Sequence, residues 1–235
     1  MPRKKIVFII VEGPSDETAL GVPLSRYFTG SSVYVDIIHG DMTTKFGINP
    51  LNIRKHLMKK VKSYADRNHY KRDDFLRVIQ IIDTDGAYIP DANIVYDESA
   101  DRPVYTDTSI MTAKYEQMID RNERKRDNVD TLSDLDYVWG SIPYSCYYMS
   151  SNLDHALYGK RNTSDDEKED DSFRFARRYR DDVEGFIRYL CASEFSRVDG
   201  YKRSWDYIKQ DCRSLERNSN LGLCFLRKED GEDPV

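Results

Sequence analysis

Apolar residues fall into short unbroken runs near the N-terminus and into helical spacings further along. Residues 4–11 (KKIVFIIV) read as a strand buried on both faces. Gly13-Pro14-Ser15-Asp16 breaks the run with residues that favour a helix start. Ala19, Leu20, Leu24, Tyr27 and Phe28 follow at helical spacing, and Pro23 is expected to kink or shorten that helix. Residues 33–38 (VYVDII) predict a second strand. Residues 50–67 predict an amphipathic helix with Leu51, Leu57, Val61, Tyr64 and Ala65 inward. Its Arg54, Lys55, Lys59, Lys60 and Lys62 sit mostly outward. Residues 75–82 (FLRVIQII) predict a third strand, ending at Asp83-Thr84-Asp85-Gly86. A β-α-β-α-β order in about 85 residues argues for a parallel sheet with crossover helices.

Beyond that point the pattern weakens. Residues 87–109 read as irregular, 110–127 as a polar helix and 137–149 as a further strand region. Asn152 to Tyr158 read as a helix start, and the acidic stretch 162–172 as a loop. Residues 173–193 read as one helix, 201–217 as another, and the charged tail from Lys228 as frayed. The expected class is α/β: a central, mostly parallel sheet flanked by helices, with extra C-terminal helices. Residues 1–158 form the expected core, with a polar insertion at about 87–135. Residues 159–235 form a helical extension packed on it.

Composition narrows the partners. The 235 residues carry a net charge of −5, so any nucleic-acid surface has to be a local basic patch. Cys146, Cys191, Cys212 and Cys224 include no Cys-x-x-Cys pair, and with four His a zinc site of ordinary spacing is not expected. No apolar run approaches the roughly 18 residues of a membrane span, and the first run is too short for a signal-peptide core. A cytoplasmic protein with no membrane partner is the expectation.

Candidate chemistry sits at the ends of two predicted strands. Glu12 ends the first, with Asp16 soon after, and Asp83 and Asp85 end the third. Ligands gather outside the carboxyl ends of parallel strands. Acids converging there need a cation to stay ionised together, and oxygen donors suit Mg²⁺ or Mn²⁺. The pairing of Glu12-Gly13-x-Ser15-Asp16 with Asp83-x-Asp85-Gly86, about 70 residues later, resembles the Toprim domain of topoisomerases, primases and nucleases. The Ser-Asp after Glu-Gly is most similar to the OLD-type nuclease branch, and the resemblance covers roughly residues 4–90. It implies a Toprim/Rossmann-like core and a Mg²⁺-dependent endonuclease acting on DNA or RNA. It implies Glu12 as general acid/base or ligand, Asp83 and Asp85 as ligands, and Asp16 as a further ligand or water-positioning group. It also implies later acidic and lysine residues, for which Asp107, Lys114, Glu116, Lys125 and Asp154 are the candidates. OLD-type proteins usually carry an ATPase. No Gly-x-x-x-x-Gly-Lys-Ser/Thr loop occurs here, so the resemblance implies a separate ATPase partner, a homodimer and a part in bacterial phage defence.

Plainer readings stand beside these. Asp16 serves equally as an N-cap, while Glu12 as a helix-terminal acid and Asp83 to Gly86 as a turn are the lesser readings. Arg121, Arg124, Lys125 and Arg126 are candidate contacts to a nucleic-acid backbone, as is the basic face of 50–67. His39 and His155 read as polar loop residues or catalytic groups. A haloacid-dehalogenase-like phosphatase is an alternative, with Asp83 as nucleophile and Asp85 as acid/base. Ala87 departs from that motif, and some 80 residues precede it. The third reading is a non-enzymatic regulatory or toxin-like subunit held by a partner.

Overall fold

A computed structural model of the chain describes residues 5–29 and 33–226. The expected frayed tail lies outside the described residues. The N-terminal half follows the predicted order: β1 (Lys5–Val11), α1 (Pro14–Phe28), β2 (Val33–His39), α2 (Ile53–Arg67) and β3 (Phe75–Asp83). Then come β4 (Ile94–Tyr96), β5 (Val104–Tyr105), β6 (Ile110–Thr112), α3 (Tyr115–Ser133), β7 (Tyr137–Val138) and β8 (Ile142–Met149). The chain continues through α4 (Asp165–Tyr179), α5 (Val183–Ala192) and α6 (Tyr201–Ile208).

The main sheet has the order β2-β1-β3-β8-β7. Its first four strands are parallel, and only the β7–β8 pairing is antiparallel. This is the expected α/β class, with a mixed, mostly parallel sheet flanked by helices. Alternation along each strand divides two cores. Ile6, Phe8 and Ile10 of β1 face α2, α3 and α6, while Val7, Ile9 and Val11 face α1, α4 and α5. The parallel strands all end at one edge, which gathers residues far apart in sequence.

Several expected boundaries are corrected. Pro23 does not end α1, which runs on to Phe28 against the sheet and α4. Leu51 is not inward; it lies before α2 and is 98% exposed. The segment read as irregular holds β4 and β5, two strands of a small sheet, β4-β6-β5, packed over Ile89, Ile94, Ile110, Met118 and Leu215. Residues 110–112 are a strand rather than a helix start, and α3 reaches Ser133. The acidic stretch 162–172 is not a loop. Ser164 caps α4, and the acids of its first turn suit the helix dipole. The helix expected over 173–193 is two, because Asp182 accepts from the Gly185 N–H (2.8 Å) and starts α5 anew. The helix expected over 201–217 stops at Ile208, and Arg213–Leu215 form a 3₁₀ turn.

Candidate active site

The carboxyl ends of β1, β2 and β3 and the middle of α3 meet at one edge of the main sheet. Glu12 follows β1, Asp41 follows β2, Asp83 is the last residue of β3, and Asp85 lies two residues on. From the first turn of α1, the Asp16 carboxylate accepts from the Gly13 N–H at 2.8 Å. Asp16 is thus not the N-cap but the third helical residue reaching back to it. Asp85 adopts a left-handed backbone (φ 50°), as does Gly86 (φ 65°). A Cβ at Gly86 would also lie 2.6 Å from Leu215 Cδ2, so glycine is favoured there. The turn is pinned by the Asp85 N–H to Ser151 O (2.6 Å) and the Thr84 hydroxyl to Ser214 O (3.1 Å).

α3 supplies the cations. Lys125 is fully buried, and its ammonium donates to Glu12 Oε2 at 3.1 Å and to Asp85 Oδ2. Arg121 pairs with the same Asp85 oxygen and donates to its backbone carbonyl at 3.3 Å. Thr43 donates to Glu12 Oε1 (3.2 Å) and to Asp41 Oδ1 (2.8 Å). The plain reading of Glu12 as a helix-terminal acid gives way here, because Lys125 and Thr43 hold its carboxylate.

Burial in this corner drives the titration. Burial, with repulsion from Asp41 and Asp85, lifts Glu12 to about 8 despite Lys125. Burial also raises Asp16 to about 6, with Asp154 and Asp85 adding to it. Asp83 rises well above the usual carboxylate range through burial and the charges of Asp16, Glu12 and Asp85. For Asp85, burial opposes ionisation, but Arg121 and Lys125 hold the group below its ordinary value. Asp41 is also lowered, against burial, by Lys125 and by its Thr44 and Thr43 hydrogen bonds, so the site holds two firmly ionised acids and three that keep their protons readily.

Five carboxyl groups lie near two cations, and all their donor atoms are oxygen, the type a hard divalent ion takes. The coordination shell is not preassembled. Among the described residues, no group of three or more His, Cys, Asp or Glu side chains is arranged to hold a metal ion. The Lys125 ammonium bridges Glu12 and Asp85 instead.

The other predicted residues are spread out. Arg124 donates to Thr44 O (3.0 Å). Arg126 donates to Ala87 O (3.3 Å) and pairs with Asp91 at 3.6 Å. With Arg121 and Lys125 on the acids, this basic run clamps the protein to itself. Of the later acid and lysine candidates, Lys125 is in the site, and buried Asp154 is close enough to raise Asp16. Asp107 pairs instead with Arg161. His39 pairs with Glu17 at 2.8 Å, and His155 is buried and pushed down to about 4 by burial and by Arg161 and Arg217. Sequence reading passed over Asp41, Thr43 and Tyr105, whose phenol is raised by burial and by Asp85. Asp41 had a signal, an acid two residues beyond a strand end on the ligand-bearing edge.

No family model, curated protein or solved structure matches this chain. No helix among the described residues is long and apolar enough to cross a membrane.

Proposed function

We propose that the chain is a metal-dependent nuclease, a phosphodiester hydrolase of DNA or RNA with a Toprim-like core. The observation that carries this reading is the cluster of half-buried Glu12, Asp83 and Asp85 with buried Asp16, supplied with fewer cations than acids. A divalent ion would take the place of the protons these acids otherwise keep, and Asp16, Asp83, Glu12 and Asp85 would have to draw together to hold it. A bound Mg²⁺ or Mn²⁺ supplies Lewis-acid stabilisation of the phosphate charge and acidifies a water. The protein manages the proton. Glu12, which without metal holds its proton to about pH 8, is the group proposed to exchange it. Lys125 and Arg121 keep Asp85 ionised.

The phosphatase alternative needs Asp85 to deliver a proton. Two cations on its Oδ2 hold it ionised, which favours the nuclease reading. The separate ATPase, the homodimer and the defence role remain proposals that rest on the Toprim resemblance.

The test is cleavage of a plasmid, a single-stranded DNA and a tRNA pool with Mg²⁺, Mn²⁺ or EDTA. We expect metal-dependent cleavage that falls roughly 10²-fold or more in Glu12→Gln and in Asp83→Asn. Both changes resemble the protonated forms of these acids, so folding should survive. Undiminished activity in both variants would sink the proposal. A stable, inactive complex with a native partner would favour the regulatory-subunit reading.

A further inference from the structure

The segment from β2 to α2 leaves the acid cluster and carries unused chemistry. Residues 42–65 contain six Lys and Arg (Lys45, Arg54, Lys55, Lys59, Lys60 and Lys62) and no Asp or Glu, in a chain of net charge −5. Lys45, Arg54, Lys55 and Lys59 are exposed. Lys60 instead donates to the carbonyls of His39 and Gly40 at 3.2 Å, closing the segment against the sheet edge.

Phe46 stands in this segment and is 90% exposed. Its loop is nevertheless fixed. Asn128 donates to the carbonyls of Thr43 (2.9 Å) and Ile48 (3.2 Å), and Arg124 donates to that of Thr44 (3.0 Å). The Arg124 guanidinium also lies 5.8 Å from the Phe46 ring centroid. A large aromatic ring held in water on an anchored loop is poised to stack. Thr43, three residues earlier, donates to Glu12 Oε1. Three residues of chain reach at most about 11 Å, so Phe46 stands within a few nucleotides of the proposed reacting phosphate.

We propose that Phe46 is a stacking platform for an unpaired base, and that the acid-free face of 42–65 carries the backbone of a single-stranded nucleic acid to the acid cluster. This rests on the nuclease reading and names its substrate class. A paired base keeps its faces inside the duplex and gives the ring nothing to stack on. The depression beside Phe46 is also lined by Asp120, Glu123 and Asp127 of α3, so a phosphate backbone is confined to the α2 side.

The test is fluorescence anisotropy in EDTA, with labelled oligothymidylate, oligouridylate and a duplex of equal length. Wild type should prefer a single strand. Phe46→Ala should weaken that binding about tenfold and leave duplex binding unchanged, while Phe46→Trp should restore it and add a fluorescence component that the strand quenches. Lys55→Glu with Lys59→Glu should weaken binding and flatten its salt dependence. Equal single-strand binding by wild type and Phe46→Ala overturns the inference, as does a preference for duplex. Neither outcome touches the nuclease reading, which is judged by metal-dependent cleavage in wild type and its loss in Glu12→Gln. Failure to bind any nucleic acid, together with no cleavage, overturns both.

Discussion

Lys125 carries no exposed surface, yet it is an ion, and its burial is tolerated only because Glu12 and Asp85 both accept from it. Removing the ammonium leaves Asp85 paired with Arg121 alone and takes a donor from Glu12. Lys125→Met should therefore destabilise the fold by about 1–3 kcal/mol, measured by urea unfolding near neutral pH. Glu12 gives a signed pH dependence. It keeps its proton to about pH 8 when folded but releases it near 4.5 when unfolded. Across that window the folded state holds the extra proton, so this group's stabilisation fades as pH rises. Asp16 adds the same sign between 3.8 and about 6. The metal-free protein should lose thermal stability from about pH 5 to pH 8, and Glu12→Gln should lose less. A wild type that gains stability over Glu12→Gln as pH rises would contradict this assignment.

Elements were legible wherever one physical signal dominated. The runs of β1 and β3 are apolar because both faces are covered, so strand, register edge and the acids at its end could be read together. α4 shows the opposite case. Ser164-Asp165-Asp166-Glu167 carries a Ser-x-x-Glu helix start, but its acidity reads equally well as a loop. In the fold the Ser164 hydroxyl accepts from the Glu167 N–H at 3.3 Å, and Glu167 Oε2 accepts from the Ser164 N–H at 2.8 Å. Ser164→Ala should cost about 1 kcal/mol in urea unfolding, with no change in the proposed cleavage. An unchanged midpoint would mean that this cap contributes nothing. The site was half legible for a related reason. Glu12, Asp16, Asp83 and Asp85 sit next to strand ends, whereas Lys125 was one charge in a basic run on a polar helix. Its special place depends on the way α3 crosses the sheet edge, which local sequence does not encode.

At the scale of the molecule, the part after residue 158 is woven into the core rather than laid on it. Asn218, Ser219 and Asn220 run buried along β8. The Tyr148 N–H donates to Asn220 Oδ1 at 2.7 Å, the Ser219 hydroxyl to Tyr148 O at 2.8 Å, and the Ser150 N–H to Asn218 O at 2.9 Å. β8 thus has β3 on one side and this polar strap satisfying backbone groups near its end. The strap also reaches the site. The Ser151 N–H donates to Ser214 O, and Ser151 O receives the Asp85 N–H. Asn220→Ala strips a buried donor of its partner, so a loss of about 1–3 kcal/mol is expected. Because the strap closes both cores, unfolding should remain one cooperative transition, seen alike by Trp fluorescence and far-UV circular dichroism. Cleavage by Asn220→Ala should then fall only as its folded fraction falls. Two separate transitions would mean instead that the C-terminal region folds apart from the sheet and that the strap is dispensable to the site.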